Sequence, residues 1–514
     1  MQPSWSNITD AIFHYAKERP DAPAIVEGRE TIDYRELARL VGNASVFLRD
    51  TGVNPGDRVA ICLTNSADHL ILSFAAMRVG AALIEISPHS SQSDREAMVQ
   101  KYGISTTFIE PDAPMVSGTK SLWLDIRWRD QIAQKNGDWR CPDGEKEPYT
   151  IGLSSGSTGI PKGLMTTHRQ HLARYLAATE IFAKSEIISP HRPANLLLTA
   201  EINFTGFFIF LLFQLFAGGA IVIIPRHLWV ADMVRAIAAW DNALCVATPL
   251  MCRGFIAFAR QRGLMFPKLR SLIVVGQPLF AQEKRNVVER ITPELYDVYG
   301  SAGCGILSTL SPTEIISRGG TVGRLIPFAE VEIVDRQGNR VPTGSNGHLR
   351  CRGPAISTGF YSESDAASGT EGFRDGWFYP GDLAAIDESG YLILKGRSSD
   401  LIVRRGVEIQ PMEIESVLSE HPSVAEAAVV GKPALAIGEE VVALVVARGE
   451  GRHEELSQHL MSRLPPEKLP DRIIYAKTLP KTANGKVNRV EAKAMAARHG
   501  AKATIGMGSM PSTG

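Results

Sequence analysis

The 514-residue chain has no excess charge of either sign, because lysine plus arginine and aspartate plus glutamate both number 55. With no net field to draw it to nucleic acid or to an anionic membrane, neither is expected as a partner. Cysteine is scarce, with six residues scattered at positions 62, 141, 245, 252, 304 and 351. They form no C-x-x-C pair and have no histidine at ligand spacing. That argues against a structural zinc or a disulfide framework and points to a reducing, cytoplasmic setting. The opening MQPSWSNITD lacks a basic segment followed by an apolar core, so no secretory signal is expected. No internal repeat is visible, which sets aside solenoids and propellers.

What is present is the composition of a globular protein, 44% apolar and 21% charged, long enough for two or three structural units. One stretch imitates a membrane span: residues 204–224, FTGFFIFLLFQLFAGGAIVII, carry no charge over 21 positions. Gly218 and Gly219 interrupt it, and the β-branched AIVII that follows ends at a proline. A buried helix, a glycine turn and a buried parallel strand are expected there, with no membrane span. Helical spacing in YRELARLVGNASVFLRD gives way to the apolar strand RVAICL, and the alternation resumes at NALCVATP, SLIVVGQP and LYDVYGS. The pattern predicts an α/β fold: a large N-terminal domain (residues 1–396) of parallel α/β sheets plus a small β unit. A smaller α+β C-terminal domain (397–500) follows, with a flexible tail (501–514) rich in Gly, Ser, Met and Pro.

The stretch SSGSTGIPKG, residues 154–163, gathers glycines, hydroxyl residues and one lysine within ten positions. Such a loop can turn tightly, aim backbone N–H groups inward and set an ammonium among phosphate oxygens. The G-x-x-x-x-G-K-[ST] template does not fit it, since Pro161 falls where its second glycine should stand and Gly163 follows Lys162. A short strand end, IGL, precedes the loop, and its lysine is read as standing just before a long helical stretch. Phosphate binding is therefore favoured over a plain surface loop.

Four further segments stand in order behind this loop: VYGS, GWFYPGD, GRSSDLIVRRGVEIQPMEIE and PKTANGKVNR. Together the five resemble the motifs of the AMP-forming adenylating enzymes, the superfamily of acyl-CoA synthetases, amino-acid adenylation domains and luciferases. The loop is similar to T-S-G-T-T-G-x-P-K-G, and the others to the start of Y-G-x-T-E, to G-W-x-x-T-G-D, to the hinge and thiolation segment, and to P-x-T-x-x-G-K-x-x-R. The match in order and separation runs from about residue 8 to residue 495. Taken singly, Asp382 and Lys486 would read as ordinary turn residues; the ordered set gives them a role.

The resemblance implies that Ser155, Gly156, Ser157, Thr158 and Gly159 wrap the departing phosphates of ATP, with Lys162 near them. Tyr299, beside Gly300, would stack on adenine, and Asp382 would accept both ribose hydroxyls. Arg397 would contact ribose or phosphate from the hinge. Lys486 would bridge the α-phosphate and the acid, and a rotation of the mobile C-terminal domain would then replace it with the thiolation hairpin. Gly406 would leave room for the pantetheine of CoA, and Arg404 and Arg405 could hold its phosphates.

Two departures qualify the match. The glutamate that ends Y-G-x-T-E and helps hold magnesium is absent, because Gly303 stands in its place. Mg2+ still suits hard phosphate oxygens, its protein ligand is left open, and the glycine could widen the acid pocket. Glu314, eleven residues on, is not an obvious substitute. The H-x-[FY]-G-type segment reads TAEINFTGF, with Asn203 or Phe204 at the histidine place. Pocket residues are expected at Asn203, Phe204, Gly276, Ser301 and Gly303, within segments 201–207, 248–253, 276–279 and 301–305. These are largely apolar, with Glu201 as the sole candidate to hold an ammonium.

The expected reaction is ATP-dependent activation of an apolar carboxylic acid, aromatic or medium in size, with pyrophosphate release and transfer to the thiol of CoA. The nearest rival changes the acceptor to an amine or a carrier-protein thiol. A rival of another class is a non-catalytic ATP-binding relative.

Overall fold

The computed structural model describes residues 5–142, 144, 147–154, 161–182, 187–225, 229–259, 263–366, 371–449, 453–482 and 485–498. The tail expected at 501–514 and the loop residues 155–160 lie outside them. Four sheets organise the described chain. The largest has nine strands, and from Leu295–Ser301 through Ser271–Val274, Ala243–Ala247, Asn195–Leu198 and Ala220–Ile223 to Pro23–Glu27 all neighbours are parallel. Its central strands, NLLL, AIVI, ALCVA and SLIV, are almost wholly apolar and buried, as sheets covered on both faces require. A seven-stranded sheet carries the strands Arg58–Cys62, Ala82–Glu85 and Thr106–Ile109, and a six-stranded antiparallel sheet spans 330–397. The fourth sheet, of five strands, is built wholly from residues 402–475.

The uncharged run behaves as its glycines predict. Residues Thr205–Phe216 form a helix whose last ten residues are all buried, Gly218 turns in the left-handed region (φ 66°), and Ala220–Ile223 is a buried parallel strand. Among the described residues, no helix is long and apolar enough to cross a membrane. The helix lies between the two large sheets, where Phe207, Phe213 and Phe216 are fully buried. Truncating any one of them to alanine removes about 3–5 kcal/mol.

Around Lys162 the local structure departs from the expectation. The residue opens a strand, Lys162–Thr167, which pairs antiparallel with Pro148–Ser154, so that Ser154 lies opposite Lys162. The helix His168–Ile181 begins only afterwards, at a Thr167 capping box. The loop 155–161 thus joins two antiparallel strands. Gly163 is obligatory in the second of them, because a Cβ there would lie 2.6 Å from both Ile151 and Tyr102. Close packing, which the local pattern does not display, selects the strand.

Two histidines on that helix are locked inside the core. His168 accepts the backbone N–H of Ile8 at 3.2 Å, and His171 lies 2.9 Å from the hydroxyl of Tyr149. Burial, reinforced by nearby arginines, pushes His168 down to about 3 and His171 well below its ordinary value. Both stay neutral in the folded chain and take up protons on unfolding below about pH 6.5, so stability falls with acidification. His69 has the opposite shift, beside Glu85, and being charged in both states well below pH 6.5 adds no slope there. Between pH 6 and 5 the unfolding free energy should drop by about 1.4 kcal/mol per pH unit for each of the two. Urea midpoints measured across that interval test this, and a flat profile would place the histidines in contact with water.

Candidate active site

Five separated segments bring their polar side chains to one place. The strand Leu295–Ser301 presents Tyr299, whose hydroxyl donates to Oδ2 of Asp382 at 2.7 Å. Asp382 opens the strand Asp382–Ile386, opposite Arg397 on Leu392–Arg397. Arg397 donates through Nη1 to Oδ1 of Asp382 (3.2 Å) and to the carbonyl of Pro380 (2.7 Å). Both oxygens of Asp382 are therefore engaged and its orientation is fixed. The Tyr299 ring packs into an apolar cluster with Leu164, Leu349 and Phe378. Burial, with Asp382 alongside, drives its phenol well up, so it remains a hydrogen-bond donor.

Lys486 arrives from the C-terminal unit. Its Nζ lies 6.0 Å from the centre of the Phe204 ring, and the residue is half-buried. Burial lowers its pKa, as does Arg397, while Asp382 and Glu371 pull it back up. The adjoining Gly485 (φ +75°) explains the close approach, since a Cβ there would lie 2.7 Å from Leu250 on the helix Pro249–Phe258. Gly276 (φ +97°) plays the same part beneath Phe204, where a Cβ would lie 2.8 Å from the ring. Phe204, Gly276 and Lys486 thus share one corner. Asn203 is turned to Glu201, donating to its Oε2 at 2.8 Å.

Glu371 was not foreseen. It precedes the short strand Gly372–Arg374, its side chain is 14% exposed, and its Oε2 lies 3.8 Å from Nη2 of Arg397. Burial raises its pKa against the pull of Arg397, Lys162 and Lys486. One signal was available: an acidic residue six positions before the tryptophan of GWFYPGD. Arg174 was missed too. Buried on the helix His168–Ile181, it donates to the carbonyls of Ala302 (3.2 Å), Gly303 (3.3 Å) and Ala355 (2.9 Å), and so clamps the hairpin tip carrying Ser301 and Gly303. Only tertiary packing brings those carbonyls to it.

Gly303 does not widen a pocket. The Phe378 ring fills the space a side chain would take, and a Cβ at position 303 would overlap it. Glu314 is engaged elsewhere, accepting from Ser311 Oγ (2.6 Å) and Tyr391 (2.5 Å) and facing Arg324. Arg404 is buried on Asp471 (2.7 Å) and the carbonyl of Leu469, which removes it as a phosphate contact in this arrangement. Arg405 and Gly406 both have positive φ and form an exposed turn between Ile402–Arg404 and Val407–Ile409. Arg489, the last residue of the PKTANGKVNR segment, ties Glu415 (2.6 Å) to Asp400 (3.6 Å).

Residues 12–361 match the model of the AMP-binding enzymes and residues 413–486 that of the AMP-binding enzyme C-terminal domain. The chain belongs to the AMP-binding enzymes, the AMP-forming adenylating superfamily of the acyl-CoA synthetase type. It is 27% identical over 511 residues to an indoleacetate–CoA ligase of Aromatoleum aromaticum, covering 96% of this chain and 98% of that one. It is 25% identical to a long-chain-fatty-acid–CoA ligase of Escherichia coli, covering 95% and 94%. The fold is similar to that of O-succinylbenzoate coenzyme A synthetase from Bacillus subtilis, solved with ATP and magnesium ion, at a TM-score of 0.81. That comparison spans 94% of this chain and 99% of the other, at 22% identity.

The Gly485–Leu250 contact gives a direct test of the lysine-in arrangement. Gly485→Ala forces a side chain into the left-handed region, about 1–2 kcal/mol, and against Leu250. It should slow the adenylate-forming, pyrophosphate-releasing half-reaction by about tenfold or more with little change in melting temperature. Adding Leu250→Ala should recover part of the loss. An unaffected half-reaction would mean that Lys486 acts from another position.

Proposed function

We propose that the chain activates an aromatic carboxylic acid with ATP, releasing pyrophosphate, and transfers the acyl group from the adenylate to the thiol of CoA. The observation that carries this reading is Lys486, half-buried between Phe204 on the acid side and the Asp382–Arg397 pair on the nucleotide side. An ammonium there can draw the acid carboxylate and the α-phosphate together and offset the charge that builds as pyrophosphate leaves. Its depressed pKa still leaves the required cation favoured once phosphates replace solvent. Asp382, with both oxygens oriented, receives the ribose hydroxyls, while Lys162 and residues 155–159 of the loop take the phosphates. Tyr299 serves chiefly by holding Asp382. Magnesium, when bound, supplies a hard positive charge between phosphate oxygens.

An aromatic acid is favoured by the ring of Phe204 over Gly276, with Phe207 packed against it at 5.4 Å. The names of the indoleacetate and O-succinylbenzoate relatives agree with it. Ser398–Asp400 is our choice of hinge, between a large unit of residues 1–396 and a small unit of residues 397–500. The space between the units suits repeated opening. A cavity of about 260 Å³ there is ringed by Arg253, Glu283, Glu426, Arg448 and Lys481, and charged interfaces of this kind separate easily. Rotation would carry Lys486 out and the Gly406 turn in. A reducing, cytoplasmic setting completes the reading, and all six cysteines are free and buried.

Pyrophosphate release with ATP, magnesium and a panel of aryl, fatty and amino acids, each with and without CoA, tests the reading. Release with aryl acids and formation of an acyl-CoA by mass spectrometry are expected. Product only with fatty acids would overturn the aromatic assignment, and product only with an amine or carrier would overturn the acceptor. Lys486→Ala should lower adenylation by about 10²–10³-fold and leave ATP affinity within a few-fold. Unchanged adenylation would remove the lysine from the mechanism.

A further inference from the structure

We propose that Glu371 is the protein ligand for the magnesium ion that accompanies ATP, replacing the glutamate absent at position 303; this inference rests on the ATP-dependent reading above. The other carboxylates near the site are excluded or already committed. Position 303 cannot hold any side chain while Phe378 fills the adjoining space. Glu314 is bound to Ser311 and Tyr391, and Asp382, held by Tyr299 and Arg397, is the carboxylate already assigned to the ribose hydroxyls. Among the described residues, no group of three or more metal-binding side chains exists. A magnesium site needs no such group, since one or two carboxylates with substrate phosphates and water commonly suffice.

Glu371 fits that requirement. No hydrogen bond from a described residue reaches its carboxylate, and its nearest ion-pair partner, Arg397, stands 3.8 Å away. It lies in the field of Lys162, Lys486 and Arg397, the three cations assigned to the phosphates and the acid. A carboxylate with open acceptor oxygens in such a place would repel an incoming triphosphate at close range. A divalent cation between them turns that repulsion into attraction. The fold also connects the two changes. Gly372–Arg374 pairs with Trp377–Tyr379, with Phe373 opposite Phe378 and their rings 4.7 Å apart. The same two strands therefore carry the ring that closes position 303 and, just upstream, the carboxylate that can take over its task.

Calorimetric binding of a non-hydrolysable ATP analogue to the full chain, with and without Mg2+, is the test, with Glu371→Gln and Glu371→Asp as variants. In the wild type Mg2+ should tighten binding at least tenfold. In Glu371→Gln this enhancement should fall to under threefold, while metal-free binding stays equal or becomes tighter because a negative charge has gone. Glu371→Asp should keep part of the enhancement. Mn2+ in place of Mg2+ gives an independent readout, because its electron paramagnetic resonance signal in the ternary complex should change in Glu371→Gln. An undiminished Mg2+ enhancement and an unchanged Mn2+ signal in Glu371→Gln would overturn the proposal. So would equal tightening of metal-free and Mg2+-bound complexes, which would make Glu371 a stand-in anion for the phosphates. Absence of ATP binding in the wild type would instead overturn the reading on which the proposal rests.

Discussion

The arrangement depends on gathering three cations, half-buried Lys162 and Lys486 and the more exposed Arg397, around the same two carboxylates. Like charges at short range in a medium of low dielectric repel strongly, and each resists desolvation. The opposing charges on the same surface are Asp382 and Glu371. They leave the site with a modest positive balance, three cations against two carboxylates. Arg397 occupies the centre of this balance because its guanidinium faces both carboxylates and the Pro380 carbonyl at once. A lysine there could not present that fork of donors.

The large sheets supply the rigidity the balance needs. Asp382, Tyr299 and Lys162 each stand at the end of a strand whose neighbours are buried, so their backbones cannot drift. Lys486 is different in kind. It reaches the site from a unit with its own five-stranded sheet, and its position is set by a tight glycine contact with Leu250 across a charged, cavity-bearing interface. In the proposed reading, groups on the large sheets face the nucleotide and a lysine from the smaller unit completes the site. That division suits the two-step reaction proposed above.

The same reasoning separates kinds of glycine. Gly276 and Gly485 combine positive φ with a neighbour that would collide, so two constraints forbid a side chain. Gly406 has positive φ but nothing within 4 Å in this arrangement. Its open surroundings fit a turn that awaits another partner. At Gly303 the constraint is steric alone, imposed by Phe378, and the residue that forbids a carboxylate there belongs to a motif 75 positions later in the chain.

The sequence by itself determined the α/β class, the helix–turn–strand reading of residues 204–224, and four of the polar residues that meet at the site, Tyr299, Asp382, Arg397 and Lys486. These are carried by periodicity, by glycines at turns and by five motifs in order, all of them local signals. It did not disclose the strand that follows Lys162, because Gly163 is selected by Tyr102 and Ile151, which are distant in sequence. Nor did it show that Arg404 is engaged with Asp471, that Arg174 clamps the 301–305 tip, or that Glu371 faces the phosphate cations. A charged side chain on a strand or helix can be solvated, paired or catalytic with the same local pattern. Only the tertiary structure decides among these, because it alone fixes which opposite charges and which carbonyls lie within reach.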